Sequence, residues 1–433
     1  MLQAGLIQNA HSDLVTDASY DFYGLHLATS SLDQRIKVWQ LDDPTGNWAV
    51  QDDWKAHDAA ISKLSWAHPE FGTVLASGSF DRTVKVWEQT IVADADASQM
   101  SGGNAGPSGV SRWAERATFA EAKGTVRGVE FAPHYFGLKL ATISSDNNLR
   151  IYECREQPSL TTWQLLDEID VVSLSSASAS TSRAAALNAT SSTPTQPAAT
   201  LEAVSASLAP HAAQQQQQSQ VPSRPGLGTR EADGGWCISW CKDRYWGEVI
   251  AAGCGINGVI KVIQLHPSGR AMNVLTLDPS PTAYASSGEA TARGTSTPTE
   301  GEPPTPFAIT SVAWAPSCGR SYHLVATGGR DGHVRIWRVK PPTPGSDTEG
   351  DADAEESRWS ASVVADFDDH KSAVGRVEWN VTGTILSSAG NDGRVRLWKM
   401  TAGNVWRPAG HISVEQAEEE QVDVDMDDNA VED

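Results

Sequence analysis

The sequence predicts an all-β fold of six four-stranded sheets, arranged as the blades of a propeller and left open between the first and last blades. Three observations predict it. Six times, an acidic residue or its amide is followed six residues later by a large apolar residue: Asp33 and Trp39, Asp81 and Trp87, Asp146 and Tyr152, Asn257 and Ile263, Asp331 and Trp337, Asp392 and Trp398. The segments between them, such as DRTVKVW and DGHVRIW, alternate with the period of two that marks a half-buried strand. A unit recurring at this scale fixes a radially repeated architecture before any finer reading.

Each unit contains four strand signals. LATSS at Leu27, LASGS at Leu75, LATIS at Leu140, VATGG at Val325 and LSSAG at Leu386 precede the acidic residue, and their small residues suit strands crowded toward a central channel. Further upstream, apolar residues fall five and two positions before an aromatic, as in Ile61, Leu64 and Trp66, or Val374, Val377 and Trp379. A fourth strand follows the closing aromatic and carries its own Trp at Trp48, Trp113, Trp163, Trp359 and Trp406. Four strands make one blade, and the blades fall at about 11–55, 56–121, 122–172, 234–277, 307–368 and 369–410, within a propeller spanning 1–410. Most of the 16 Trp residues are thereby explained as packing between sheets.

This unit resembles the WD repeat. In that family a His, a Ser or Thr of the middle strand, the turn Asp and the Trp indole form a buried hydrogen-bonded chain. The resemblance places His11, Asp33 and Trp39 in blade one, His57, Ser77, Asp81 and Trp87 in blade two, and His370, Asp392 and Trp398 in blade six. A Ser-His-Asp set suggests nucleophilic catalysis, but its recurrence in several blades and its termination at a Trp point to structure. Blade four departs most, with Asn257 and Ile263 at the two marker positions and no His. It is expected to lack the polar chain and to be the least stable blade. Blade three has Lys123-Gly124 where a Gly-His pair is typical.

The formal net charge is −21, concentrated in Asp347–Glu356 and in the tail Glu415–Asp433, which has no Lys or Arg. The rest of the chain is only mildly acidic, which argues against direct nucleic-acid binding. No apolar run approaches the length of a membrane span, and the N-terminus lacks the features of a secretory signal. The five scattered cysteines suit a reducing compartment. Cys237 and Cys241 have no partners at zinc-site spacing, so no metal is expected. No Gly-rich phosphate loop, metal-ligand cluster or nucleophile elbow stands in the chain, and the reading is of a non-enzymatic protein without cofactor.

A Ser-, Ala- and Gln-rich stretch at 173–233, including Gln214–Gln218, separates blades three and four and is expected to be disordered. Shorter loops are expected at 95–109 and 278–306, with an acidic loop at 341–357 and an acidic tail at 411–433. There is no seventh unit. The segment Val405–Pro408 completes blade six from within, so nothing remains to lock the ring, and a gap between blades one and six would expose two sheet faces. A partner donating strands into the gap would cover both.

Several stretches are more specific than the repeat itself: DFYG near the start, WCISWC, AWAPSCGRSYHLVATGGRDGHVRIW and VEWNVTGTILSSAGNDGRVRLWK. They resemble the Sec-thirteen homologue (Seh) nucleoporins from about His11 to Lys399, and resemble the vesicle-coat Sec-thirteen propellers less. The resemblance implies an open propeller completed by a blade from a helical scaffold nucleoporin, within the Y-shaped scaffold complex of the nuclear pore and its transport and assembly work. It implies further Y-complex nucleoporins as partners, and also a coat-like complex at the vacuolar or lysosomal surface that regulates TOR signalling. The residues expected to line the gap are Val15, Tyr20, Phe22 and Leu27 of blade one and Val377, Trp379, Leu397 and Trp398 of blade six. Other readings are a vesicle-coat propeller, or a peptide-binding substrate receptor of a ubiquitin ligase. For the latter the nearest adaptor motif is the degenerate Tyr152-Glu153-Cys154-Arg155.

Overall fold

A computed structural model of the chain describes residues 7–42, 46–93, 109–175, 231–266, 270–279, 307–342 and 358–413. The expected insertion at 173–233, the loops at 95–109, 278–306 and 341–357, and the acidic tail lie outside the described residues except at their margins.

The described residues form a six-bladed β-propeller, each blade a four-stranded antiparallel meander. Blade one holds β1 (Val15–Tyr20), β2 (His26–Ser31), β3 (Arg35–Asp42) and β4 (Asn47–Lys55), and blade two holds β5 (Ile61–Trp66), β6 (Val74–Ser79), β7 (Val84–Ala93) and β8 (Gly109–Phe119). Blade three holds β9 (Val126–Phe131), β10 (Lys139–Ser144), β11 (Asn148–Cys154) and β12 (Trp163–Asp170), and blade four holds β13 (Gly235–Trp240), β14 (Val249–Gly255), β15 (Ile260–Gln264) and β16 (Met272–Leu277). Blade five holds β17 (Ile309–Trp314), β18 (His323–Gly329), β19 (Val334–Lys340) and β20 (Ser360–Phe367), and blade six holds β21 (Val374–Trp379), β22 (Ile385–Gly390), β23 (Arg394–Met400) and β24 (Trp406–Ser413). The last strand runs past residue 410, where the acidic tail was expected to begin.

The six-residue spacing between the acidic residue and the closing apolar residue has a geometric cause. The residue after the acidic one has positive φ in every blade: Gln34, Arg82, Asn147, Gly258, Gly332 and Gly393. In five blades the Asp carboxylate accepts the backbone N–H two residues on, from Arg35, Thr83, Asn148, His333 and Arg394, which fixes the hairpin. At the other end, the register between the third and fourth strands shifts beside the closing residue in all six blades, for example between Val38 and Trp39 and between Leu397 and Trp398. A bulge repeated there adds twist to each sheet at the same height.

Each sheet has two apolar faces. One, carrying the closing aromatic, packs on the preceding blade; the other packs on the following blade. Trp87, Leu75 and Ile61 of blade two meet Ala28, Ile36 and Val38 of blade one. Tyr152, Leu140 and Val126 of blade three meet Ala76, Val84 and Val86 in the same way. Small residues in the second strands follow from this packing: Ala28, Ala76, Ala141, Ala251 and Ala326 are completely buried.

The polar chains run through three blades. His57 Nδ1 lies 2.9 Å from Asp81, His57 Nε2 lies 2.7 Å from Ser77 Oγ, and Trp87 Nε1 donates to Ser77 Oγ at 2.9 Å. A carboxylate only accepts, so Nδ1 carries the proton, Nε2 accepts from the hydroxyl, and the hydroxyl oxygen accepts the indole. His11, Thr29, Asp33 and Trp39 repeat the set, as do His370, Ser388, Asp392 and Trp398. Burial alone would raise the Asp81 carboxyl, but hydrogen bonds from His57 and Thr83 outweigh it and hold it well below the usual range. Blade three substitutes a guanidinium: Arg150, 1% exposed, reaches Ser144 Oγ at 2.9 Å and Asp146 at 2.8 Å. Blade four loses the set as a unit, with Ala252 at the hydroxyl position and Ile263 at the indole position, both completely buried.

Two expected outcomes follow from this packing. Gly235 stands where other inner strands carry Val or Ile, and a Cβ there would sit 1.9 Å from the Ile309 carbonyl oxygen. Gly235→Ala should therefore cost about 1–3 kcal/mol, read as a lower denaturation midpoint. Ser77→Ala leaves both His57 Nε2 and Trp87 Nε1 without a partner. It should cost about 2–4 kcal/mol, with Ser77→Thr largely restoring stability.

Acid should also weaken the fold through Asp392. Burial would raise this carboxyl, yet hydrogen bonds from Arg396 and His370 hold it at about 2 against an ordinary 3.8. A depressed acid contributes stability that is present above the unfolded value and is lost as pH falls through the folded one. Stability should thus decline as pH falls from about 3.8 toward 2, and Asp392→Asn should flatten that part of a stability-against-pH curve.

Candidate functional site

The six inner strands surround a cavity of about 760 Å3 on the propeller axis. Its charged groups are tied in pairs: Lys63 with Asp17 at 3.0 Å, Lys242 with Glu130, and Arg376 with both Asp17 and Glu378. Among the described residues no group of three or more His, Cys, Asp or Glu side chains could hold a metal ion. Burial pushes the Cys237 and Cys241 thiols up to about 12, which keeps them protonated and unreactive. The cavity wall is thus a set of pins between blades rather than a set of reactive groups.

Those pins obey a rule at five junctions. A side chain on one inner strand accepts a backbone N–H from the next inner strand. Asp17 accepts from Leu64 at 2.9 Å, Ser65 from Phe131 at 3.0 Å, and Glu130 from Trp240 at 3.1 Å. Ser239 accepts from Trp314 at 3.0 Å and Ser311 from Val377 at 3.1 Å. At three of these junctions the aromatic closing the second strand adds an indole bond to a carbonyl of the first. Trp66 donates to Ser19 O, Trp240 to Glu130 O and Trp379 to Ala313 O, at 2.9, 3.1 and 3.0 Å.

The sixth junction breaks the rule. Among the described residues, no side chain of blade six accepts a backbone N–H of β1, and β21 and β1 do not lie alongside each other as the other inner strands do. The closing aromatic of β1 is Tyr20, which has no indole and is 57% exposed. The link recorded there is Arg376, whose Nη1 donates to the Asp17 carboxylate and, at 2.9 Å, to Ala18 O. On the blade-one side Val15 is 49% exposed. On the blade-six side Val395 and Leu397 are only half-buried, whereas their blade-five counterparts Val334 and Ile336 are 0% exposed. Ser387 replaces the buried Ala of the other second strands, and its hydroxyl donates to Glu378 O at 3.1 Å.

Of the residues expected to line this seam, Val15, Tyr20 and Leu397 stand at it. Phe22 is exposed at the channel mouth but leans toward blade two, edge-on to His68 at 4.8 Å. Leu27 lies on the seam-facing side of blade one, in register with Tyr20 and Trp39, but is itself buried. Val377, Trp379 and Trp398 are placed elsewhere: Val377 is bonded to Ser311, Trp379 to Ala313, and Trp398 stacks on Phe367 at 4.0 Å. The reason is that a junction joins opposite faces of two blades. Equivalent positions chosen from both blades therefore cannot meet. The residues that do face blade one from β21, β22 and β23 are Arg376, Glu378, Ser387, Val395 and Leu397. Offsetting the blade-six pattern by one residue would have found them.

Comparison with known proteins supplies the last piece. The WD domain, G-beta repeat family matches residues 5–40, 48–88, 302–338 and 361–399. Nucleoporin SEH1 of Saccharomyces cerevisiae is 31% identical over 439 residues, covering 94% of this chain and 99% of that protein. Nucleoporin seh1 of Schizosaccharomyces pombe is 30% identical, covering 96% of this chain and 98% of that protein. Human Nucleoporin SEH1 is 31% identical over 412 residues, covering 95% of this chain and 88% of that protein. With near-complete coverage in both directions, and repeats matched in blades at both ends of the ring, the chain belongs to the SEH1 nucleoporin family.

Proposed function

We propose that this chain is a non-enzymatic scaffold nucleoporin whose ring is completed by a β-blade donated from a helical partner nucleoporin. The observation that carries the reading is the seam between blades one and six. It is the one junction at which, among the described residues, no side chain captures a backbone N–H of the next inner strand, and an apolar surface remains uncovered on both of its sides. Burying such faces is worth about 25 cal/mol per Å2 of apolar area, and added strands would also satisfy the sheet edges. Entry of a blade requires Arg376 to part from Asp17, so the free ring is held at its inner edge by a contact that assembly would exchange. The family name supports a place at the nuclear pore, for which the Y-shaped scaffold complex is the assembly proposed. A vacuole-associated coat-like complex acting on TOR would use the same seam.

Partner binding should stabilise the chain by mass action, by about 2.7 kcal/mol at a hundredfold excess over Kd. We expect the Tm of the full chain to rise on addition of the nucleoporin that co-purifies with it. An unchanged Tm at saturating partner would count against the proposal. Leu397→Asp should cost the free chain no more than about 1 kcal/mol, since the side chain is not fully buried, while weakening the complex about a hundredfold or more. Val377→Asp, on the face already packed against blade five, should instead unfold the chain with or without partner.

A further inference from the structure

We infer that Glu378 is the specificity-determining residue of the seam, and that the strand entering beside β21 carries a Trp against Glu378 and a Lys two residues after it. This rests on the donated-blade reading above and gives the donor its chemistry.

The argument is repeat equivalence. Blades three and six end their inner strands alike, with Val129-Glu130-Phe131 and Val377-Glu378-Trp379. Glu130 holds the following blade at three points. Its carboxylate accepts the Trp240 N–H at 3.1 Å, its carbonyl accepts the Trp240 indole at 3.1 Å, and its other carboxylate oxygen pairs with Lys242. An inner strand fits this clasp by presenting a Trp and, two residues on, a Lys.

Glu378 offers the same three acceptors on the face turned to the seam. Its side chain is 60% exposed, and its recorded partner there is Arg376 of its own strand at 3.2 Å. Arg376 cannot accept an N–H as Asp17 and Ser311 do from the same strand position, so capture of an incoming strand falls to Glu378. The Ser387 hydroxyl meanwhile caps the Glu378 carbonyl, which no indole among the described residues reaches. A carbonyl has two lone pairs, so this cap does not bar an incoming Trp.

The test uses the full chain and the nucleoporin that co-purifies with it. Carbodiimide, which joins a carboxylate to an amine in contact with it, should link Glu378 to a partner lysine two residues after a Trp, as mapped by mass spectrometry. Glu378→Gln should weaken the complex about ten- to a hundredfold, the worth of a charge-assisted bond cluster, and Glu378→Lys should weaken it more. Neither should move the Tm of the free chain, whereas Glu130→Gln, inside the ring, should lower it. If both Glu378 variants bind as the parent does while Leu397→Asp loses the partner, the clasp is refuted and the donated blade stands. A cross-link from Glu378 to a lysine in another register also refutes the clasp. If Leu397→Asp binds as well as the parent, the donated-blade reading itself fails.

Discussion

A propeller blade has two apolar faces and can cover neither by itself, and the rest of this structure depends on that constraint. Away from the open seam, each blade uses its closing residue, an aromatic in all but blade four, to cover the blade before it and its small middle-strand residues to receive the blade after it. Side-chain capture of one backbone N–H per junction then sets the height at which neighbouring sheets meet. Five such captures align six blades. A sixth would close the ring, and it is not made: Arg376 stands at the position from which Asp17 and Ser311 accept, while Glu378, at the position of Ser65, Glu130 and Ser239, pairs with Arg376 of its own strand.

The polar chains answer a different demand. An indole, an imidazole and a hydroxyl buried together are tolerated only if each finds its partner; blade five keeps the pairing of indole and hydroxyl without a His, Trp337 Nε1 donating to Thr327 Oγ1 at 3.1 Å. Blade four shows the loss, having no His or Trp at these positions and an Ala for the hydroxyl, with its core supplied by Trp240, Ile250 and Val262 instead. Loss of the set therefore does not leave a void. Blade three shows substitution, since Arg150 reaches the Ser144 hydroxyl and the Asp146 carboxylate. Blades five and six pair the turn Asp with an Arg four residues on, Asp331 with Arg335 at 2.8 Å and Asp392 with Arg396.

Much of this was legible in the sequence, and the parts that were not share one cause. Strand number, blade order and hairpin positions follow from period-two alternation and the Asp-to-aromatic spacing, because both depend only on local geometry. The His–Ser–Asp–Trp chain is legible because its members sit at repeating distances along the chain. The Arg partners stand in the sequence as DNNLR, DGHVR and DGRVR, outside the His–Ser–Asp–Trp spacing. The seam was legible as a region, from the count of units, but only partly as residues. Val377, Trp379 and Trp398 carry the strongest apolar signal in blade six, and that strength reflects a face already covered by blade five. An uncovered face must instead be soluble enough to meet water, so its residues are mixed: Arg376, Glu378 and Ser387 beside Val395 and Leu397. Strong hydrophobicity marks a finished junction, and a mixed face marks an open one.

That contrast bears on how an open ring persists in the free chain. A fully apolar seam would invite pairing with a second copy. Here Ser387 in place of Ala, and the ion pairs of Arg376 with Glu378 and Asp17, supply water-compatible groups along blade six without filling the site. The same polar groups give the seam directional acceptors, which under the proposed donated blade would distinguish an incoming strand of matching chemistry from one that is merely apolar. On the proposed reading, solubility before assembly and selectivity during it are served by one set of side chains, and the exposed Val15 and Tyr20 on blade one are left to provide area rather than direction.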